Sequence, residues 1–196
     1  MLLLKVVVYS SYYPLHIYSN LQVLHFIKSM LSNIVTDTLE KWSHLRFKNV
    51  IFDSDVDESS NREFNSRIKG RSNLYFINID ENGMVFGGYF DGKIENTEMW
   101  NYGNKQFIFT MNEFGKKGQI KKCNQKKKSG IFITNRNDNM LYTFYYGFGI
   151  AKPYKKDSYC CPNINKWYED IDNKTLNNIE KYDKFQTKRI LVVEMY

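Results

Sequence analysis

A mainly β fold of the α+β class is what this sequence predicts, and three observations predict it. Aromatic side chains make up 16% of the 196 residues, with 15 Tyr and 14 Phe, a composition that suits half-buried pleated surfaces better than helical bundles. Residues 73–90 read as two strands joined at Asn82-Gly83, expected as a type I′ turn because both central residues tolerate positive φ. Leu74, Phe76 and Ile79 before that turn, with Met84, Phe86 and Phe90 after it, make apolar faces that the remaining chain must bury, so the hairpin is the expected centre of the core. The length suits one well-cored domain plus an appendage rather than two domains.

Residues 1–19, an apolar octet followed by Ser-Ser-Tyr-Tyr-Pro14, support no single assignment. Lys5 interrupts the run, which has no basic leader and no small-residue cleavage site, so a signal peptide is not expected. No run reaches the length of a membrane span. From Asn20, a plausible N-cap, Leu24, Ile27, Leu31 and Ile34 recur at spacings of three and four, and predict an amphipathic helix over about 20–42. It has too few heptads for a coiled coil, which leaves packing on the domain as the expectation. Residues 1–44 thus read as an N-terminal extension and residues 45–196 as the β domain.

Residues 47–52 are the first core strand. Ser59 or Ser60 caps a short helix whose Phe64 and Ile68 share one face, and Gly70 ends it. A loop through residues 100–103 leads to a strand at 105–111, where Phe107 and Phe109 alternate with polar neighbours. Lys116, Lys117, Lys121, Lys122, Lys126, Lys127 and Lys128 follow with no acid among them, and read as an exposed loop. A second hairpin spans residues 130–150. Residues 152–184 read mostly as loop, anchored by Trp167, Tyr168, Ile171, Leu176 and Ile179. The closing run 188–196 is apolar on both faces, so it belongs in mid-sheet.

Chemistry is sparse. His16, His25 and His44 all precede the β domain, which removes a Ser-His or Cys-His centre from it. Cys123, Cys160 and Cys161 are too few and too unevenly spaced for a disulfide framework or a zinc set, and fit a reducing, cytoplasmic or nuclear compartment. A thiol-based antioxidant role for Cys160 or Cys161 is the minor alternative. Asp53, Asp55 and Asp57 imitate the start of a calcium loop, but Glu58 stands where Gly is required and Phe64 where a bidentate Glu is. Gly147-Phe-Gly149 lacks the third glycine of a nucleotide-binding turn. No enzyme activity, metal or cofactor is expected. The net charge of +7 leaves nucleic-acid or anionic-surface binding through the lysine loop as an alternative. Aromatics interleave poorly with that loop in sequence, which argues against a stacking platform.

Phe52-Asp-Ser54, the helix ending at Gly70, Asn73-Leu-Tyr-Phe-Ile77, Val85-Phe-Gly-Gly-Tyr89, Phe107-Ile-Phe-Thr110, Cys161-Pro-Asn163 and Val192-Val-Glu-Met195 occur in an order that resembles the TLDc domain, above all its divergent protist-type members. The resemblance runs over about residues 45–196, and its most specific piece is Phe86, Gly87, Gly88 and Tyr89 followed by Phe107 and Phe109. Met195-Tyr196 stand where the family often carries Trp. The resemblance implies a two-sheet antiparallel β-sandwich flanked by short helices, with no established catalytic site. It further implies a role in protection against oxidative damage and a protein partner, subunits of the vacuolar proton-pumping ATPase among the candidates. Cys161 and Glu194 match the family's late cysteine and terminal acidic positions, and Gly87 and Gly88 its glycine signature. Glycines inside a strand mean, first, close backbone approach.

Overall fold

The structure is a computed structural model that describes residues 33–111, 120–135, 138–171, 176–177 and 183–196. In chain order, α1 (Asn33–Ser43), β1 (Phe47–Asp53) and α2 (Asn61–Ile68) precede the hairpin β2 (Leu74–Asp80) and β3 (Val85–Phe90). Then come β4 (Trp100–Tyr102), β5 (Gln106–Thr110), β6 (Lys121–Asn124), β7 (Gly130–Ile133), β8 (Met140–Phe144) and β9 (Phe148–Ala151). The last are β10 (Ser158–Cys160), a 3-10 turn (Ile164–Lys166), β11 (Lys184–Phe185) and β12 (Thr187–Met195).

Two six-stranded antiparallel sheets result, as the resemblance implies. Sheet 1 runs β1-β12-β2-β3-β5-β6 and sheet 2 runs β11-β10-β9-β8-β7-β4. The hairpin occupies the middle of sheet 1. The closing strand β12 lies inside the same sheet between β1 and β2, pairing Val193 with Tyr75 and Leu191 with Ile77, because both its faces are apolar and both need cover.

Strand alternation builds two cores. Leu74, Phe76, Phe86, Phe90, Ile190 and Val192 face sheet 2 and meet Ile131, Tyr142, Phe144, Phe148 and Ile150. Tyr75, Ile77, Tyr89, Phe107, Phe109 and Val193 point the other way, and α1 sets Val35 and Leu39 on them, with Trp42 packed alongside. Trp42 lies 6.0 Å from Phe107 and 5.6 Å from Phe109, and the Tyr75 hydroxyl donates to the Leu39 carbonyl at 2.8 Å. Asn20, Leu24, Ile27 and Leu31 of the predicted helix lie outside the described residues. α2 is capped by Ser60, whose hydroxyl accepts from the Glu63 N–H, and Gly70 at φ +80° ends its run. It drives Phe64 into the inter-sheet core against Phe52 and Tyr142, while Asn61 and Asn65 donate to carbonyls of Thr134 and Met140.

Four expectations change. The hairpin turn is not type I′: Gly83 alone takes positive φ, the Gly83 N–H donates to the Asp80 carbonyl, and residues 81–83 form a three-residue loop. Asp80 decides this, since its carboxylate accepts from the N–H of Asn82 and of Met84, each at 2.9 Å. Residues 100–102 form an edge strand rather than loop, held on β7 while the buried Asn101 side chain satisfies the loop before it. Lys121 and Lys122 lie in β6, because Cys123 between Lys122 and Asn124 is drawn into the core and sets the alternation of a strand. Within residues 152–184, β10, β11 and the 3-10 turn are regular, and Tyr168, Ile171 and Leu176 reach the core as anchors. Ile179 lies outside the described residues.

Candidate binding surface

The residues that carry the family resemblance are absorbed by packing. Phe86 points between the sheets onto Phe148 and Phe185, at 5.4 and 5.7 Å. Tyr89 points outward and stacks on Phe107 at 5.1 Å. A Cβ on Gly88 would strike the Phe144 ring of the facing sheet, and one on Gly87 would strike the Phe76 carbonyl oxygen and lie 2.8 Å from the Phe109 ring. Both glycines are thus sites of close approach. Glu194, its side chain 10% exposed, is held by Arg71 at 2.7 Å and Lys48 at 3.2 Å, which ties the end of β12 to β1 and to the segment after α2. The Cys161 thiol is pushed up to about 11 by burial, and burial raises Cys160 further still, so neither is thiolate-rich near neutral pH.

The lysines do not form one loop. Lys116 and Lys117 lie outside the described residues. Lys122 leans over the Phe107 ring at 4.5 Å on the α1 side of sheet 1, and burial together with nearby Lys105 lowers its pKa. Lys126 donates to the Asn165 carbonyl at 2.8 Å, and Lys127 sits over the Trp167 ring at 5.1 Å. Lys126, Lys127 and Lys128 line an open cavity of about 320 Å³ with Gly103, Asn104 and Gln125, a lining that contains no carboxylate.

Beside that cavity the fold assembles a surface that the sequence order hides. Trp100 of β4 meets Phe132 of β7 at 5.4 Å and Tyr145 at 4.9 Å. Tyr145 in turn meets Trp167 at 5.0 Å, and Tyr146 lies flat on Trp167, 4.3 Å away with the planes 2° apart. Tyr102 packs against Gly130, where a Cβ would meet its ring at 3.1 Å. Tyr102 and Tyr146 remain 59% and 42% exposed. The backbone N–H of Lys126 donates to the Trp167 carbonyl at 2.7 Å, so the lysine turn and the ring cluster are one unit. Tyr146 is held at φ +49°, a conformation that costs a bulky residue about 1–2 kcal/mol. Poor interleaving of aromatics with the lysines is therefore a property of the sequence and not of the surface. The only signal available beforehand was that Trp100, Tyr102 and Trp167 stand in polar stretches with no apolar period to bury them.

Asp53, Asp55 and Asp57 serve the scaffold: Asp53 forms a two-pronged pair with Arg189 at 3.0 and 2.6 Å, Asp55 supports it at 3.2 Å, and Asp57 pairs with Arg67 at 2.8 Å. No group of three His, Cys, Asp or Glu that could hold a metal occurs among the described residues. Among them no helix is long and apolar enough to cross a membrane. The family model of the TLDc domain matches residues 20–190. No curated protein sequence matches the chain.

Proposed function

The chain belongs to the TLDc domain family, and from that premise we propose that it is a non-catalytic protein-docking module, acting in the cytoplasm in the oxidative-stress response or in regulation of the vacuolar proton-pumping ATPase. One observation carries this reading. The side chains that define the motif, from Phe86 to Tyr89 and at Phe107 and Phe109, are spent on holding the sandwich together, so the motif specifies a scaffold and recognition falls to its exposed edges and loops.

Deleting the coding sequence is expected to raise sensitivity to hydrogen peroxide, and the tagged full chain is expected to retain proton-pump subunits from lysate. Unchanged peroxide survival together with a retained fraction lacking every pump subunit overturns the reading.

A further inference from the structure

We propose that the outer face of sheet 2, together with the Lys126–Lys128 turn, binds single-stranded nucleic acid. The proposal goes beyond the docking role above by assigning a partner to one exposed surface. Three features of one patch converge on this partner. Planar groups are on offer: Tyr146 and Trp167 form a parallel stack, and Tyr146 leaves 42% of its surface open. Every nucleobase has a π-face, so stacking on such a ring needs no particular sequence. Positive charge flanks the stack: Lys127 overlies the Trp167 ring at 5.1 Å, and its neighbours Lys126 and Lys128 line a carboxylate-free cavity that starts at Gly103, next to Tyr102. A phosphate in that cavity and a base on the ring are what successive nucleotides of an unpaired strand supply together. Finally, Tyr146 occupies a positive φ that glycine would fill without strain, which keeps a large ring at a turn where the backbone disfavours one.

Sheets that present aromatic side chains to unpaired bases are a recurrent route to RNA recognition, with the lysines at the rim supplying the electrostatic part. A membrane or an acidic protein would use the lysines, but neither requires a ring held flat and open at a strained turn. Double-stranded nucleic acid buries its base faces and offers none to stack.

The test is fluorescence anisotropy of the full chain with labelled single-stranded RNA and DNA of about 12 nucleotides, beside the matching duplex and vesicles rich in phosphatidylserine. Saturable binding to either single strand, with the duplex weaker, is the expected result. Tyr146→Gly relieves the positive φ and so keeps the fold, which thermal melting checks, and it is expected to weaken single-strand binding about tenfold. Replacing Lys126, Lys127 and Lys128 with Ser is expected to reduce the slope of log affinity against log salt by about 2. Three results overturn the proposal: no single-strand binding at low salt; a Tyr146→Gly variant, folded, that binds as well as the parent; or vesicle binding that single strands do not compete away.

Discussion

The outer faces of the two sheets are built from the same materials and end in opposite states. On sheet 1, Tyr75, Tyr89, Phe107 and Phe109 are buried, with Val35 and Leu39 of α1 and the half-buried Trp42 packed among them. On sheet 2, Trp100, Tyr102, Phe132 and Tyr145 stay partly open to water. Both faces pair rings with glycines. Gly87 sits under Phe109 on the first, while Gly130 and Gly149 sit under Tyr102 and Tyr159 on the second. The contrast separates two uses of an aromatic sheet. Covered, the rings supply transfer free energy and fix the fold; uncovered, they supply surface, and their burial is left for a partner to complete. The family motif falls on sheet 1, with Phe86 and Gly88 facing the inter-sheet core and Tyr89, Phe107 and Phe109 the covered face, which explains why it reports architecture.

Matched substitutions on the two faces put this contrast to the test, and glycine gives the largest effect. Gly87→Ala is expected to cost about 3 kcal/mol, because its methyl would meet backbone that cannot move, the Phe76 carbonyl. Gly149→Ala would press instead on the end of the Tyr159 ring and the Met140 methyl, side-chain ends rather than backbone, so a loss of about 1 kcal/mol or less is expected. Urea denaturation at constant m-value reads both. Equal losses at the two sites would mean that the outer face of sheet 2 is as tightly held as that of sheet 1, and the contrast fails.

A smaller effect comes from removing one hydroxyl on each side. Tyr75→Phe deletes the bond to the Leu39 carbonyl, which joins α1 to the sheet. That carbonyl keeps the Ser43 hydroxyl as a donor, so the expected loss is about 1 kcal/mol, accompanied by faster amide exchange in α1. Tyr102→Phe, at an exposed ring, is expected to stay within about 0.5 kcal/mol. If the exchange rate of α1 does not respond to Tyr75→Phe, the helix is fixed by other contacts, and the covered face owes less to this bond than its geometry suggests.

Most of the covered side was legible in the sequence, and the open side was not, for a physical reason. Period-two alternation at Phe107 and Phe109, a two-faced apolar run ending at Met195, and Ser60 and Gly70 around Phe64 and Ile68 are local patterns, each sufficient to assign its own element. β4 is three residues long, too short to show a period, and Trp100 therefore read as loop. The ring cluster depends on tertiary contact alone, drawing on β4, β7, the β8–β9 turn and the 3-10 segment. The hairpin turn failed differently: Asn82-Gly83 marked its place, but the Asp80 carboxylate two residues earlier set its type. Lysine clustering misled in the same way, since alternation in β6 sends Lys122 to the covered face while Lys127 lies on the open one.

Those two lysines give the smallest effect and a directional one. Each ammonium lies over a ring, Lys122 on Phe107 and Lys127 on Trp167, so each contact alone is worth about 0.5–1 kcal/mol at most. At Lys122, burial and a neighbouring cation, Lys105, lower the pKa. The folded state therefore disfavours its charged form, and the unfolded chain binds the proton more tightly. Stability contributed by this residue must then rise with pH as the lysine loses its proton in the fold, and level off once the unfolded chain has lost it too, near the ordinary lysine value of about 10.4. Lys122→Met removes that rise. The stability difference between parent and Lys122→Met, read by urea denaturation at several pH values, is accordingly expected to shift in favour of the parent as pH rises toward about 10.4. A difference that does not change with pH would place Lys122 in water, clear of the Phe107 ring.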